Sequence, residues 1–314
     1  MITNEFLEQR QALPLQAKII MTERRIREWY THNEGLVYVA FSGGKDSTVL
    51  ADLVKRLYPD VPLVFCDTGL EYPELREFAR RKADIVIKPA MTFKAVIEKY
   101  GYPVIGKRQA RMIRDLQNES DKNANVCNLH RTGYTRAGKY CPTYKLPDKW
   151  AFMVDAPFKV SEQCCDVMKK KPFAVYEKET GRKPFIGTMV WESTLRRRQY
   201  LKDGCNAFNA KRPHSTPIAF WMEQDILQYL RENGLEYASV YGDIVKQGGT
   251  LHLTGEQRTG CMFCMFGIQF DECPNRFQRM KETHPKQYVY CMNKLGLRDV
   301  LNYMGIPCEM EGEQ

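Results

Sequence analysis

A short apolar run followed by two glycines places the strongest constraint on this chain. Residues 36–41 (LVYVAF) are apolar and rich in β-branched and aromatic types, as in a strand buried inside a parallel sheet. Ser42, Gly43 and Gly44 follow directly, and apolar residues then recur with helical spacing over 49–57. The sequence therefore predicts a strand, a glycine loop and a helix in immediate succession.

The same alternation continues along the chain. Residues 61–66 (VPLVFC) and 85–87 are predicted to form strands, and helices are expected over 74–82 and 92–100. Strands that alternate with helices are typical of βαβ units. The predicted fold class is α/β, a doubly wound and mostly parallel sheet with a phosphate-binding loop, joined to a small cysteine-bearing C-terminal helical region.

Other segments have weaker patterns. Residues 119–160 carry mixed turn signals and are expected to be irregular, and the tail after about residue 250 is expected to combine loop with short helices. The remaining predicted elements are an amphipathic helix over 5–30, strands over 185–190 and 218–220, and a helix over 223–233 that ends at Gly234.

Charge and cysteine content narrow the class of protein. No stretch approaches the ~18 apolar residues of a membrane span, and the first residues lack the apolar core of a secretory leader. We therefore expect a cytoplasmic protein with no membrane partner, in which the eleven cysteines direct attention to metal binding. Residues 107–149 hold ten Lys or Arg against four acidic residues. This excess suits a nucleic-acid partner, and a solvated basic face is the alternative.

The glycine loop has the residues of a phosphate-binding loop. Its backbone amides and the helix N-terminus can approach phosphate oxygens, and Ser42 and Ser47 can donate hydroxyl hydrogen bonds. Lys45 would bring a positive charge to a phosphate, and Asp46 could orient neighbouring donors or help hold Mg²⁺. The spacing differs from that of ordinary P-loop NTPases. An ordinary glycine turn with a helix cap is the alternative.

At this point the residues show a family resemblance. The loop resembles the signature of the PP-loop ATP pyrophosphatases, and two later segments are similar to the phosphoadenosine-phosphosulfate (PAPS) reductase branch of that superfamily. Similarity extends over about residues 35–270. The motifs are Phe41-Ser42-Gly43-Gly44-Lys45-Asp46-Ser47, then Asp67-Thr68-Gly69 with Glu71 and Pro73-Glu74, then Gly187-Thr188-Met189, Glu192-Ser193 and Leu195-Arg196-Arg197.

The resemblance implies an adenine-nucleotide site. ATP, or adenosine phosphosulfate (APS) or PAPS, would lie across the carboxyl ends of the strands, with Lys45 and Asp46 as catalytic residues and Mg²⁺ as a cofactor. Asp67 is an expected metal or nucleotide contact, and an Asp that begins a turn is the alternative. The implied nucleotide-binding residues are Phe41, Ser42, Gly43, Gly44, Lys45, Asp46, Ser47, Asp67, Thr68, Gly187, Arg196 and Arg197. We expect three parts: an N-terminal helix (1–34), a PP-loop nucleotide-binding domain (35–250) and a cysteine-containing helical segment (251–314).

Four cysteines extend the resemblance. Cys164, Cys165, Cys261 and Cys264 resemble the Cys-Cys and Cys-x-x-Cys arrangement that holds a [4Fe–4S] cluster in the APS-reductase type of this family. The resemblance implies that cluster, and a structural zinc site or unligated redox cysteines are the alternatives. The fourth ligand is the least fixed by the pattern. Possible substitutes are Cys205 and Cys273, and Cys127 or Cys141 could carry sulfur.

Several reactions fit this set of motifs. The intact Lys45-Asp46 pair favours adenylation of an acceptor by ATP with release of pyrophosphate, for sulfur transfer to nucleic acid, with a sulfur donor such as a cysteine desulfurase. APS or PAPS reduction is the main alternative, although the terminal Glu-Cys-Gly-x-His motif of the reductases is absent and Pro307-Cys308-Glu309 stands near the end. The small subunit of ATP sulfurylase shares the loop but gives no reason for the cysteines. A non-catalytic nucleotide-binding or nucleic-acid-binding module is an alternative of another class.

Overall fold

The computed structural model describes residues 2–309, which form two compact units by contact. The sheet unit comprises residues 2–89 and 170–262, and the helical unit comprises residues 90–169 and 263–309. Each unit is therefore built from two segments of chain. The predicted boundaries at 1–34, 35–250 and 251–314 remain a prediction about domains.

The strands and helices follow in chain order. The strands are β1 (Val37–Ala40), β2 (Leu63–Cys66), β3 (Ile85–Ile87), β4 (Val104–Ile105), β5 (Lys183–Ile186), β6 (Asn206–Ala207), β7 (His214–Ser215), β8 (Ile244–Gln247), β9 (Thr250–Leu253) and β10 (Met265–Phe266). The α-helices are α1 (Asn4–Gln11), α2 (Leu15–His32), α3 (Lys45–Leu57), α4 (Pro73–Lys82), α5 (Phe93–Tyr100), α6 (Lys107–Gln117), α7 (Ala124–Thr132), α8 (Lys171–Thr180), α9 (Thr194–Asp203), α10 (Glu223–Glu232), α11 (Arg276–Thr283), α12 (Pro285–Val289) and α13 (Leu297–Tyr303).

A six-stranded sheet forms the centre of the sheet unit, in the order β3-β2-β1-β5-β7-β6. All neighbouring pairs are parallel except β6 with β7. The chain moves from β1 to one side through β2 and β3, and β5 then pairs with the other side of β1. The carboxyl end of β1 is therefore the switch point at which ligands bind in open α/β sheets.

Helices cover both faces of this sheet, because successive strand residues point to opposite sides. Val37 and Val39 of β1 lie in the main core with Val49 and Leu53 of α3. Tyr38 lies on the other face with Val64 and Tyr176, the latter from α8. The predicted α/β class with a mostly parallel sheet is confirmed.

The predicted single leading helix over 5–30 is wrong in one respect, because it is two helices. α1 ends at Gln11, and Pro14 is the N-cap of α2. Proline has no amide hydrogen to donate and disfavours helical geometry in the residue before it, so α1 cannot continue through this point. α2 then buries Ile26 and Trp29 in the core, and Lys18 forms a buried ion pair with Asp225 at 2.6 Å.

Two further predictions need correction. Residues 218–220 are buried but form successive turns, in which the amides of Ala219 and Trp221 donate to the carbonyls of Thr216 and Ile218. A short buried apolar run has the same pattern whether it is strand or turn. Residues 119–160 are not wholly irregular, because they include α7, which ends at Gly133 in the left-handed region. The strand predicted over 185–190 is β5, which begins earlier and stops before Gly187.

The helical unit has its own small sheet, in which β4 pairs in parallel with β10. α6 packs against α7 and against the turn over Asp148–Asp155. The predicted C-terminal helical region is present as α11, α12 and α13, and its cysteines lie outside these three helices.

Candidate functional site

The glycine loop lies between β1 and α3 and is held by its own hydrogen bonds. Ser47 Oγ lies 3.0 Å from Ser42 Oγ and accepts from the Ser42 amide at 3.2 Å. Gly43 has φ of +76°, and a Cβ there would lie 2.7 Å from the Cβ of Ala79, so the position requires glycine. Gly44 is the N-cap of α3 and leaves the first helical amides at the loop. A helix N-terminus of this kind can bind a phosphate.

A second glycine, Gly187, brings the end of β5 close to the start of α3. A Cβ on Gly187 would lie 3.1 Å from the backbone N and Cα of Ser47 and 3.2 Å from the carbonyl oxygen of Asp46. A larger residue would therefore press on the first turn of α3. The role of Gly187 in the structure is to let this neighbouring strand end beside the loop.

Lys45 is the first residue of α3, and only 5% of its side chain is exposed. Its Nζ donates to the carbonyl of Gln257 at 3.0 Å and lies 3.3 Å from Glu223 Oε1. Its amide donates to Tyr241 Oη at 3.3 Å, and that hydroxyl lies 2.5 Å from Thr259 Oγ1. The segment from Gln257 to Thr259 therefore crosses the start of α3. A phosphate that reached the ammonium would compete with a carbonyl and a carboxylate.

Asp46 is the second residue of α3, and its carboxyl group is poorly solvated. Its Oδ1 is buried and accepts no hydrogen bond from any residue between 2 and 309. Burial raises the pKa of Asp46 to about 6, the charges of Glu192 and Glu223 add to the rise, and Lys45 and Arg258 oppose it. A buried acceptor without a donor costs free energy, and its oxygen is available to a cation.

This burial predicts a pH-dependent stability. Between about pH 4 and 6 the folded protein holds a proton on Asp46 that the unfolded chain has released, so the free energy of unfolding falls as the pH rises through that window. Asp46→Asn removes the free-energy cost of burying a charged carboxylate at this position. We expect the variant to be more stable than the parent by about 1–3 kcal/mol near pH 8, with the difference shrinking toward pH 4. Urea unfolding of both proteins measures it.

Asp60→Asn is the matched control, because Asp60 is an exposed carboxylate of the same unit. It should change the free energy of unfolding by less than about 0.5 kcal/mol at either pH. A difference between Asp46→Asn and the parent that stays constant from about pH 4 to about pH 8 would contradict the raised pKa.

Asp67 follows β2 and is engaged by two arginines of α4. Its carboxylate accepts from Arg76 Nε at 2.7 Å and Nη2 at 3.1 Å, and from Arg80 Nε at 2.8 Å. Burial acts to raise the pKa of Asp67, but the two guanidinium groups outweigh it and the pKa is lowered. Thr68 Oγ1 donates to Glu71 Oε1 at 2.6 Å in the same turn. Both predicted contacts thus have structural partners, and their contact with metal or nucleotide stays a prediction.

The two predicted arginines are directed to different partners. Arg196 pairs with Glu192, near the end of β5. Arg197 donates to Asn4 Oδ1 and Glu8 Oε1, both at 3.1 Å, and so is directed toward α1. Of the pair, Arg196 has the position closer to the carboxyl ends of the strands.

A cavity of about 360 Å³ lies at the carboxyl ends of β5 and β7. Its volume is in the range of small-molecule sites. Thr188, Arg196, Gln199 and His214 are part of its lining, and Gln199 Nε2 lies 2.9 Å from His214 Nε2. Since Thr188 directly follows Gly187, the cavity offers hydroxyl, amide and cationic groups to a polar ligand beside the loop.

The structure brings two of the four predicted ligand cysteines together. Cys164 Sγ lies 4.0 Å from Cys165 Sγ in the helical unit. The hydrogen bond from Cys164 lowers the pKa of Cys165 to about 6; burial opposes this, and the charges of Lys107 and Lys169 assist it. Cys264 belongs to the same unit and Cys261 to the sheet unit. Across residues 2–309 no group of three or more His, Cys, Asp or Glu side chains is arranged to hold a metal ion.

The other cysteines differ in environment. Burial raises the pKa of Cys205 to about 12, which keeps it a thiol, and Cys273 is exposed. Cys127 is buried and donates to the carbonyl of Asp115 at 3.3 Å, and burial raises its pKa, whereas Cys141 is half-buried. Of the two predicted sulfur carriers, Cys141 is the more accessible.

Tyr241, Glu223 and Gln257 surround Lys45 but were not predicted as site residues. They lie far from the loop in the sequence, and no spacing connects them to it. The one available signal is that all three lie within the region of about residues 35–270 that resembles the family. In the part of the chain that the structure describes, no helix has both the length and the apolar character to cross a membrane.

Comparisons with known proteins agree with this architecture. The family model described as "Phosphoadenosine phosphosulfate reductase domain" matches residues 36–104. An APS reductase of Staphylococcus epidermidis is 23% identical over 81% of this chain and 80% of its own. An uncharacterized protein of Methanocaldococcus jannaschii is 22% identical over 87% of this chain, which spans only 51% of that protein. A PAPS reductase structure from Candida auris covers 80% of this chain and 98% of its own, with 14% identity and a TM-score of 0.39, too distant a likeness to carry an argument.

A mostly parallel sheet with a glycine loop and helix N-terminus at its switch point defines an α/β protein whose loop has the geometry expected for phosphate binding. The domain match includes this loop. Residues 36–104 therefore match a domain of the PAPS reductase type, and most of the chain is similar to APS reductases, which are enzymes.

Proposed function

We propose that this protein binds ATP at the glycine loop and adenylates an acceptor with release of pyrophosphate, as the activating step of sulfur transfer to nucleic acid. The observation that carries the proposal is the pair Lys45 and Asp46 in the first turn of α3, with a buried ammonium and an unsatisfied carboxylate oxygen. A loop that only binds phosphate does not require a carboxylate kept at such a cost.

The residues of the loop suit attack at the α-phosphorus. An acceptor oxygen would form a bond to that phosphorus while the bond from it to the bridging oxygen of the β-phosphate breaks, and pyrophosphate leaves with the negative charge. Lys45 and the amides at the start of α3 would stabilise that charge. Asp46 fits Mg²⁺, because its Oδ1 is buried without a donor and carboxylate oxygen is a preferred ligand. A bound Mg²⁺ would supply further charge neutralisation for the leaving group.

Sulfur would then replace the activated oxygen. Sulfur at the level of sulfide attacks the activated atom, a carbon or phosphorus of the acceptor, and AMP leaves with the original oxygen, so the exchange itself moves no electrons. A persulfide on a donor such as a cysteine desulfurase supplies sulfur at that level when a second thiolate attacks its inner sulfur. The S–S bond of the persulfide breaks, a disulfide forms between the inner sulfur and the second thiol, and the outer sulfur leaves as sulfide. The basic region 107–149 supports a nucleic-acid acceptor by charge.

An iron–sulfur cluster is the second cofactor of the proposal. Cys164, Cys165, Cys261 and Cys264 would hold it, and the adjacent pair suits thiolate ligation because Cys165 has a lowered pKa beside Cys164. A bound cluster would supply electron transfer or an iron site for sulfur. The burial and raised pKa of Cys205 speak against it as a substitute ligand.

APS or PAPS reduction is the second candidate, because relatives over most of the chain are named APS reductases. Such a reductase needs a reactive cysteine near the C-terminus. Cys308 is buried, burial raises its pKa, and its thiol contacts Asn302 and Arg298 at about 4 Å. These surroundings favour a structural thiol, so adenylation is preferred.

One experiment separates these functions. The anaerobically purified chain is incubated with Mg²⁺ and ATP, APS or PAPS, with and without RNA or DNA, while pyrophosphate, AMP and sulfite are measured. We expect pyrophosphate from ATP that rises when the nucleic-acid acceptor is present. Sulfite from APS or PAPS with a thiol reductant would replace the proposal with the reductase. Tight nucleotide binding without any product would identify a binding module.

A further inference from the structure

We propose that the loop between α7 and residue 149 binds an unpaired strand of nucleic acid by stacking bases on Tyr134, Tyr140 and Tyr144. These three residues are named here the tyrosine platform. The inference rests on the proposed function for its acceptor class and adds where the acceptor binds and in what form. It comes from the helical unit alone.

The tyrosine platform is exposed to an unusual degree for aromatic side chains so close in sequence. Tyr134, Tyr140 and Tyr144 are 50%, 51% and 52% exposed. The rings of Tyr134 and Tyr140 lie 4.9 Å apart between centroids, at an interplanar angle of 43°. Single exposed aromatic residues need no explanation, but three within one short loop form a surface that water solvates poorly.

The loop that carries the platform is ordered by its own backbone. Tyr134 and Tyr140 form an antiparallel bridge, and the amide of Thr135 donates to the carbonyl of Lys139 at 2.9 Å. The amide of Cys141 donates to the carbonyl of Gly133 at 2.7 Å. Two rings are thus presented on a short hairpin and need little ordering on binding, which lowers the entropy cost of association.

The charge around the platform fits a phosphate backbone. No acidic residue occurs between Asp121 and Asp148. Arg136 and Lys139 lie at the tip of the hairpin, are exposed, and form no ion pair with other residues in the range 2–309. A chain that carries a negative charge per nucleotide and offers flat bases would meet both features at once.

The combination favours an unpaired strand. Bases in a duplex are stacked on one another and their faces are covered, so exposed tyrosine rings gain little from them. An unpaired base can stack on a ring, and this stacking accepts any base. An anionic membrane or an acidic protein would also contact the rings and the cations, but neither combines regularly spaced negative charges with flat aromatic faces that stack on tyrosine rings.

The binding test uses fluorescein-labelled poly(U) RNA, poly(dT) DNA and a duplex of each, with the intact protein and no nucleotide, by fluorescence anisotropy at several salt concentrations. We expect either single strand to bind at least about tenfold more tightly than the duplexes. Preference between RNA and DNA then names the acceptor. Equal binding of duplex and single strand, or binding only to vesicles of anionic lipid, would overturn the inference.

Variants separate stacking from folding. Tyr134→Ala with Tyr144→Ala should weaken single-strand binding by about 10-fold or more, whereas the two Tyr→Phe changes keep the rings and should retain affinity within about twofold. Arg136→Gln with Lys139→Gln should reduce the salt dependence of affinity. Phe270→Ala, which removes another exposed ring of the helical unit, is the control and should bind like the parent.

The outcomes also distinguish this inference from the proposed function. Without nucleic acid, water would attack the α-phosphorus and release AMP and pyrophosphate. This basal release should be the same for the Tyr→Ala variant and the parent, since the platform lies outside the nucleotide loop. If single strands do not bind but nucleic acid still stimulates pyrophosphate release, the tyrosine platform is not a binding site for an unpaired strand and the proposed function stands. If single strands bind through the platform and ATP is never cleaved, the binding site stands and the adenylation proposal fails.

Discussion

Lys45→Met is expected to lower the rate of ATP cleavage by about 100- to 1000-fold, the usual cost of losing one group that stabilises transition-state charge. Methionine keeps the length and the apolar stem, so the change removes the ammonium with little loss of packing. The parent ammonium is nearly buried and lies against Gln257 and Glu223. Because the ammonium is poorly solvated, its electrostatic interaction with a negative charge is stronger than it would be in water.

The control is Lys55→Met in the same helix. Lys55 forms an ion pair with Asp84 at 2.9 Å on the other end of α3, far along the helix from the loop, and its loss should leave the rate within about twofold. Pyrophosphate release under saturating ATP measures both variants, and thermal unfolding checks that each is folded. A Lys45→Met enzyme that turns over at the parental rate would remove this lysine from the mechanism.

The sequence predicts the parts of the site that are contiguous. Residues 36–57 contain strand, loop and helix in one stretch, so the periodicity alone predicts β1, the glycines and α3. Gly43 is needed for a local reason, its positive φ, and the close approach of Ala79 adds to the requirement. A backbone requirement of this kind restricts the residue type at that position, so the sequence shows it directly.

The remaining parts depend on contacts between distant segments. Glu223, Tyr241 and Gln257 reach Lys45 only because α10, the 3₁₀ helix Ser239–Tyr241 and the chain after β9 come close to the start of α3. None of the three has a sequence pattern that links it to the loop. The same limit applies to Asp67, because its two arginine partners lie on the next helix and its position after a strand does not predict them. At residues 218–220 the apolar pattern correctly predicts that the residues are buried, but it wrongly predicts a strand where the chain forms turns.

For the tandem cysteines, Cys164 and Cys165, the sequence and the structure each supply part of the evidence. Their adjacency in sequence indicates a metal or redox role, and the structure adds the 4.0 Å separation of their sulfur atoms. This separation does not distinguish a cluster from a single ion, because two thiolates on one tetrahedral Zn²⁺ also lie about 3.8 Å apart. The sequence alone leaves zinc and unligated thiols open, so the cysteines need a direct measurement.

Cys165→Ser and Cys264→Ser are each expected to lose most of the iron and sulfide from the anaerobically purified protein, together with its visible absorbance. A serine hydroxyl is a far weaker ligand for iron than a thiolate, and a cluster with one ligand missing is released or degraded. Metal and sulfide analysis, with absorbance spectra of parent and variant, measures the loss. Zinc without sulfide in the parent would instead identify a structural zinc site.

Cys273→Ser serves as the matched control for these variants. Cys273 lies in the same helical unit but is exposed, with its thiol 3.6 Å from Gln278 Oε1, and its loss should leave the iron content at the parental level. If Cys273→Ser lost iron while Cys264→Ser retained it, the ligand set would shift by one cysteine and the Cys-x-x-Cys pattern would not define it. Full retention of iron in Cys165→Ser would exclude Cys165 as a ligand, and with it the tandem pair.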